Sequence, residues 1–466
     1  MQQYQVLIIG GGPGGYEAAI RLSQYNISVA VIEKARLGGV CLNWGCIPTK
    51  ALVKSAEILR EINEAPSFGL PTLDIKPDYE AILARKNRIV EQLVSGIEFL
   101  YRKRQIPVIN QAAVCIGKSQ AGYEVETADG AKYTAEFIII ATGSATKSLP
   151  NIALDEEDIL SSYGILNMTS LPQSLVVVGG GVIGCEFASI FSSFGVRVTI
   201  IEFLPRLIAQ EDEEISKRLA LALKKSGIKV MTNTAVESIT KADGELFLKL
   251  SHDKEISTEK VLLSVGRSPS FEIKTIGFSL ATEKGAIQID EQMQTSEAGI
   301  YAIGDVTAKL PLAHTASKQG LMAVEHITAH LMQRPLPKHT LIYENIPRCT
   351  FTNPEIGSVG LTEAEAKDRY GEISVGKFPF AASGKAMAMS ATQGFVKSIA
   401  RKDNGVLVGM HIMGPQAAEL IAQGAIMISQ QMTADSMEDI VFAHPTLSEA
   451  IMESLEDLRE LSIHKI

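Results

Sequence analysis

One pattern occurs twice in this chain, and it leaves few folds open. The apolar run Gln5–Ile9 ends in Gly10-Gly11-Gly12-Pro13-Gly14-Gly15. A helical spacing of Ala18, Ala19 and Leu22 follows, and a β-branched run Ile27–Ile32 closes on Glu33. Leu175–Val178 leads in the same way into Gly179-Gly180-Gly181-Val182-Ile183-Gly184, a helix, a strand Val196–Ile201 and then Glu202. Glu33 follows Gly10 by 23 positions and Glu202 follows Gly179 by the same 23. Each unit reads as strand, tight glycine turn, helix and strand, with Gly10, Gly12, Gly15 and Gly179, Gly181, Gly184 as the G-x-G-x-x-G positions. The glycines let a pyrophosphate approach the positive end of the helix, and the acid accepts hydrogen bonds from an adenosine ribose. The competing reading, two structural turns without ligands, makes the identical spacing a coincidence. The expectation is a chain that binds two dinucleotides. Glu202 suits a free ribose hydroxyl and repels a 2′-phosphate, which favours NAD over NADP at the second site.

Directly after the first unit stands Gly38-Gly39-Val40-Cys41-Leu42-Asn43-Trp44-Gly45-Cys46-Ile47-Pro48-Thr49-Lys50, with two of the five cysteines and the sole tryptophan. Five cysteines in 466 residues make no disulfide framework. Cys115, Cys185 and Cys349 lie among apolar neighbours and read as inert core thiols. Cys41 and Cys46 read as metal-binding or redox-active. Neither a second cysteine pair nor a nearby histidine supplies further metal ligands, so redox use is the better reading.

The length exceeds one ordinary domain, and we divide it at 1–150, 151–270, 271–342 and 343–466. Tyr79–Arg104 has the periodicity of a long helix. Pro107 opens a β-rich stretch that ends in Phe137–Ile140 and Ala141-Thr142-Gly143. Its counterpart is Val261–Val265 with Gly266-Arg267. Asn151–Pro172 reads as the connection between the halves. Gly299–Asp305 reads as a strand closing on Gly304-Asp305, where Asp305 is either a solvated turn residue or, from its place at a strand end, a candidate for a flavin ribityl hydroxyl. Leu312-Ala313-His314 then precedes a helix, and Gln333–His339 reads as a linker. Beyond Tyr343 the texture is α+β, with strands at Arg348–Phe351, Ser374–Phe380, Gly394–Ala400 and Val406–Met413. Helices are expected at Thr362–Tyr370, Ala417–Gln431 and Ser448–Leu461. In Phe442-Ala443-His444-Pro445-Thr446-Leu447-Ser448-Glu449 a carboxylate stands five residues from an imidazole, which can fix its tautomer and raise its basicity. A lone histidine of this kind is also compatible with a purely structural role.

The 44 Lys and Arg against 53 Asp and Glu give a net charge of −9. That balance argues against nucleic acid and anionic membranes as partners. The first strand begins near Tyr4, and no apolar run reaches the roughly 18 residues of a membrane span. The expectation is a cytoplasmic protein, or a mitochondrial-matrix one if this is a processed form.

Taken together, Gly10–Gly15, Gly39–Lys50, Ala141–Ser144, Gly179–Glu186, Gly304–Asp305, Leu312–His314 and His444–Glu449 resemble the pyridine nucleotide–disulfide oxidoreductases over essentially the whole chain. The resemblance implies an α/β fold with Rossmann-like FAD and NAD domains and a C-terminal α+β dimerisation domain. It implies a disulfide between Cys41, the thiol that meets substrate, and Cys46, the thiol nearest the flavin. It makes His444 the acid/base, oriented by Glu449 and supplied by the other subunit of a homodimer. Lys50 is expected to pair with Glu186 at the flavin's reactive edge, with Val182 and Ile183 facing the nicotinamide. The cofactor-binding set also takes in Gly39, Ala113, Thr142, Gly143, Asp305 and Ala313 for FAD, with Val236 and Gly266 in the second half.

Within the family the strings match the members that oxidise dihydrolipoamide, whose partners are lipoyl-bearing acyltransferase or carrier subunits of 2-oxoacid dehydrogenase and glycine cleavage systems. An NADPH-dependent reductase of the glutathione or mercuric type is the alternative. A non-enzymatic flavoprotein scaffold is the third reading, and it has no need of Cys41, Cys46, His444 and Glu449 together. With no lipoyl domain ahead of Tyr4, the free-standing form is expected. Val40 stands where Thr is common and Phe442 where His is common. A disulfide between residues five apart needs a broken helix, since a regular one separates their Cα atoms by roughly 8.7 Å. Asn43 and Gly45 are suited to that break, and Pro48 to the first turn of a helix beginning near Cys46.

Overall fold

The computed structural model describes residues 2–120 and 122–465, which form two compact units. The first comprises residues 1–52, 78–147 and 266–343. Its parallel strands run in the order Val108–Ile109, Val29–Ile32, Gln2–Ile9, Lys132–Ile140 and Ile300–Ala302. The long strand Lys132–Ile140 does double duty. Its first half pairs antiparallel with Gly122–Thr127, extending the sheet through Ala113–Ser119 to Lys274–Ile276. The central strands are near-continuous apolar runs because helices or further strands cover both faces. Leu7, Ile8 and Ile138–Ile140 have no exposed surface.

The helix Tyr79–Arg104 has the expected bounds. The Asp78 side chain accepts from the Ala81 N–H at its start, and Arg102, Lys103 and Arg104 stand at its negative end.

The second unit comprises residues 53–77, 148–265 and 344–466. Its parallel sheet runs Lys229–Met231, Arg197–Ile201, Ser174–Val178, Lys260–Leu263 and Ile159–Leu160. A three-stranded meander, Val236–Ala242, Glu245–Leu250 and Lys254–Thr258, follows its second strand–helix unit. The segment Asn151–Pro172, read above as a connection, contributes the edge strand Ile159–Leu160 and the helix Ser162–Asn167. In the C-terminal segment an antiparallel sheet runs Arg348–Thr350, Glu355–Gly360, Leu407–Gly414, Phe395–Arg401 and Ile373–Pro379. The expected final helix is shorter than read, Glu449–Glu456 followed by a 3-10 turn Asp457–Arg459. Of the three other cysteines, Cys185 is buried whereas Cys115 and Cys349 are only partly covered.

A buried ion cluster ties this unit together. Asp212 caps the helix Glu213–Lys225 by accepting from the Glu214 N–H, and its other oxygen accepts from the Glu363 N–H. Glu363 is the first residue of a second helix, Glu363–Tyr370. One carboxylate therefore terminates two helices. Lys397, on strand Phe395–Arg401 and 2% exposed, sets its ammonium 2.9 Å from Asp212 and 2.7 Å from Glu363. Burial alone would raise the Asp212 carboxyl. Lys397, the nearby His411 and the Glu363 N–H together hold it below the usual carboxylate range. The stability this contributes is complete above the ordinary carboxylate range and is lost as pH falls through the depressed value.

Replacing Lys397 by Met strands a buried carboxylate and should destabilise the fold by about 3–5 kcal/mol, read as a lower urea midpoint. Adding Asp212→Asn to that variant should recover part of the loss, because the two groups are coupled.

Candidate active site

The two glycine turns are alike at the level of single atoms. Gly10 and Gly179 have φ of 109° and 107°, and a Cβ on either would overlap a carbonyl oxygen, of Ala141 and Ser264 respectively. Only glycine tolerates that backbone. Glu33 accepts from the Gly11 N–H through Oε2 and from the Ala35 N–H through Oε1, each at 2.7 Å. Glu202 accepts from the Gly180 N–H through Oε2 at 2.5 Å and from the Leu204 N–H through Oε1 at 2.7 Å. Each acid thus ties its own turn shut, a role that the sequence pattern does not reveal. Each oxygen keeps a lone pair for a ribose hydroxyl.

In front of the middle glycines there is room. A Cβ on Gly181 would meet nothing within 4 Å, and one on Gly12 only the Gly39 Cα at 3.9 Å. Neither following helix, Pro13–Gln24 or Val182–Ser193, has a side-chain cap. Open N–H groups facing free space are what a pyrophosphate takes.

Other expected residues of the first unit gather at strand and helix ends. Gly39 packs on the first turn, where a Cβ would come within 2.6 Å of the Gly12 Cα. Strand Lys132–Ile140 runs out into Ala141-Thr142-Gly143. The Thr142 hydroxyl is buried with no partner among the described residues, and Gly143 has φ 73° with open space beside it. Asp305 lies in the 3-10 turn Gly304–Thr307 after strand Ile300–Ala302, and its Oδ2 accepts from Ser144 Oγ at 2.5 Å. Ala313 is the first residue of the uncapped helix Ala313–Leu331, and Ala113 begins strand Ala113–Ser119. An orphaned buried hydroxyl, an acceptor carboxylate and an open helix end are suited to a flavin dinucleotide.

In the second unit Ile183 lies in the first turn of helix Val182–Ser193. Glu186, one turn on, is buried and accepts from the Phe351 N–H at 2.9 Å. Val236 opens strand Val236–Ala242. Gly266 belongs to the first unit, with φ 110°, and only Lys147 Cδ, at 3.8 Å, lies within 4 Å of where its Cβ would stand.

The cysteine stretch folds as two helices broken between the sulfurs. Gly39–Trp44 is helical, Gly45 departs to φ −146° and ψ −108°, and a nineteen-residue helix begins at Cys46. The break brings the Cα atoms of Cys41 and Cys46 to 4.7 Å, and they are joined as a disulfide. That separation lies within the window of about 4.4–6.8 Å that a disulfide requires. Asn43 anchors the first helix by donating to the carbonyls of Leu37 and Gly39, both at 3.0 Å. Thr49 donates to the Gly45 carbonyl at 2.6 Å and fixes the second. Cys46 at a helix N-terminus is placed where the dipole favours thiolate. Lys50 follows Cys46 by one turn, on the same face of the helix.

In the second unit, His444 Nδ1 and Glu449 Oε1 are 2.8 Å apart, and Glu449 Oε2 accepts from the Thr446 N–H at 2.8 Å. Burial opposes ionisation of Glu449, but the Thr446 N–H and His444 hold its carboxyl below the usual range. An ionised Glu449 accepts a hydrogen bond from Nδ1–H, which leaves Nε2 as the basic nitrogen. The imidazole is 79% exposed and free to serve a reacting group. Phe442 packs on the C-terminal core and leaves this pair intact.

Two strand–turn–helix nucleotide folds and a disulfide made possible by a helix break define a class: flavoproteins that exchange electrons between a nicotinamide and a disulfide. The description "Pyridine nucleotide-disulphide oxidoreductase" matches residues 4–320, and the dimerisation domain of the same name matches 346–455. The chain belongs to this family. It is accordingly a flavin-dependent oxidoreductase that uses FAD and NAD, and its dimerisation domain makes it a homodimer. It is 40% identical over 466 residues to a dihydrolipoyl dehydrogenase of Bacillus subtilis, covering 97% of both chains. It is 37% identical over 461 residues to one of Zymomonas mobilis, again covering 97% of both. Among solved structures it is similar to LpdA from Mycobacterium tuberculosis, with TM-score 0.87 and 25% identity over 98% of this chain and 100% of that one. It is also similar to the HOCl-induced flavoprotein disulfide reductase RclA from Escherichia coli, with TM-score 0.84 and 27% identity over 97% and 99%. Among the described residues no helix is long and apolar enough to cross a membrane.

Sequence reasoning missed Ser144, Arg267 and the turn-closing role of the two acids. The repetition of Gly143-Ser144 and Gly266-Arg267 after equivalent strands was the available signal. Because a Cβ at Gly181 would meet nothing within 4 Å among the described residues, Gly181→Ala should fold with an unchanged melting temperature. It should weaken NADH binding by about tenfold or more, measured by fluorescence titration, because the methyl occupies the space left for phosphate.

Proposed function

We propose that this chain is a dihydrolipoyl dehydrogenase, oxidising dihydrolipoamide to lipoamide with NAD⁺. The observation that carries the reading is the Cys41–Cys46 disulfide, with Cys46 as the first residue of a helix. The His444–Glu449 pair of one subunit serves the disulfide of the other, so the working site belongs to the dimer.

Gly10, Gly12, Gly15, Gly39 and Glu33 would hold the adenosine and pyrophosphate parts of FAD, with Ala113 beside them. Thr142, Gly143, Asp305 and Ala313 would hold its ribityl and flavin parts. Gly179, Gly181, Gly184, Glu202, Val236 and Gly266 would hold NAD, and Ile183 would face the nicotinamide. Lys50 and Glu186 would stand at the flavin's reactive edge. When bound, FAD supplies a two-electron acceptor that returns the cysteines to the disulfide and delivers the electrons to NAD⁺.

The protein's own part is thiol chemistry. His444 Nε2 takes a proton from one thiol of dihydrolipoamide, and the thiolate attacks Cys41 Sγ. The Cys41–Cys46 bond breaks, a mixed disulfide forms on Cys41, and Cys46 leaves as a thiolate favoured by the helix dipole. His444 gives its proton to Cys41 as that sulfur leaves and takes the proton of the second substrate thiol, which attacks the substrate sulfur bound to Cys41. This attack expels Cys41 and closes the lipoamide ring. Two electrons pass from substrate to the cysteine pair, and Glu449 holds the imidazolium formed on the way.

Lipoyl-bearing acyltransferase or carrier subunits are the partners this chemistry requires, and a cytoplasmic setting keeps the other three cysteines reduced. NAD⁺-coupled oxidation of dihydrolipoamide by the purified dimer tests the proposal. Activity confined to NADPH with oxidised glutathione would replace it with the reductase reading. His444→Gln should lower lipoamide turnover by about 10²–10⁴-fold while FAD absorbance stays unchanged. Near-normal turnover in that variant would remove His444 from the mechanism.

A further inference from the structure

Arg267 is half-buried and makes no ion pair with a carboxylate among the described residues. Each of its three nitrogens instead reaches one short strand. Nε donates to Ser144 Oγ at 2.8 Å, Nη2 donates to the Ser144 carbonyl at 2.6 Å, and Nη1 lies 3.5 Å from Thr146 Oγ1. Ser144–Thr146 and Arg267–Pro269 form a two-stranded antiparallel ribbon. The first strand is where the chain leaves this unit and the second is where it returns, with residues 148–265 between them.

The hydrogen count at Ser144 is decisive. An arginine can only donate, so Ser144 Oγ is an acceptor toward Arg267 and its single proton goes to Asp305 Oδ2, 2.5 Å away. Asp305 is thereby fixed as an acceptor, and Oδ1 has no protein partner among the described residues. The group that completes this site must be a donor, and a sugar-alcohol hydroxyl has that chemistry.

We propose that Ser144 and Arg267 are positioning residues for the flavin: they orient Asp305 toward a ribityl hydroxyl, and they couple FAD loading to the ribbon that carries the chain to and from the second nucleotide fold. This rests on the reading of Asp305 as a flavin ligand.

The test measures FAD dissociation from purified holoenzyme by released-flavin fluorescence. Hydrogen exchange of peptides spanning 141–148 and 264–271 is followed with and without FAD. Ser144→Ala and Arg267→Gln should each raise the FAD dissociation constant by about tenfold or more, the loss of one hydrogen bond to a charged group. Ser144→Thr keeps the hydroxyl and should bind FAD within about threefold of the unaltered enzyme. In the unaltered enzyme FAD should slow exchange in the ribbon, and in Ser144→Ala that protection should disappear.

Should Arg267→Gln fail to fold, the Ser144→Ala and Ser144→Thr pair decides the matter, since each alters the side chain by a single heavy atom. Wild-type FAD affinity in Ser144→Ala, with Asp305→Ala losing FAD, would overturn the positioning role alone. Undiminished FAD affinity in Asp305→Ala would overturn the reading beneath it.

Discussion

Two cysteines five positions apart face a geometric conflict: the helix that makes one of them a stable thiolate is the structure that would hold them out of bonding range. Gly45 resolves it. Its backbone, at φ −146° and ψ −108°, ends one helix and lets the next begin at Cys46, so that bonding distance and the helix dipole coexist in one short stretch. Asn43 on one side and Thr49 on the other fix the break by hydrogen bonds to carbonyls within the same stretch. For the proposed reaction the surrounding fold has to supply nucleotide and a base.

Nucleotide supply uses one device twice. In each copy the acid after the second strand binds back to the N–H of the second glycine, so the turn and the ribose acceptor form one closed loop. Sheets with buried apolar strands hold the two ends of that loop in register. Base supply comes from a different construction, an imidazole beside a carboxylate at the start of a short helix. There Glu449 is held ionised by a backbone N–H as well as by the histidine.

Local chemistry was legible in the sequence and long-range chemistry was not. The glycine turns, the helix Tyr79–Arg104 with its Asp78 cap, and the need for a break at Asn43–Gly45 all depend on residues close in the chain. The helix Glu213–Lys225 carries a local signal too, with Asp212 and two acids at its start and two lysines at its end. The strand Glu355–Gly360 gave no such signal. Gly357, Ser358 and Gly360 have little preference for extended structure, and its pairing with Leu407–Gly414 decides its conformation. Contacts such as Ser144 with Asp305, 161 positions apart, and Lys397 with Asp212, 185 apart, exist only once the sheets have formed.

The closed loop at Glu202 also bears on how freely such a protein can change its coenzyme. In the proposed NAD site the carboxylate that would discriminate against a 2′-phosphate is also the brace of the glycine turn, through the Gly180 and Leu204 N–H groups. A drift toward phosphorylated nucleotide that began by losing this carboxylate would first loosen the turn for any nucleotide. Selectivity here is therefore protected by architecture: a lineage leaving NAD would need a second residue to close the Gly180 turn before it could let Glu202 go.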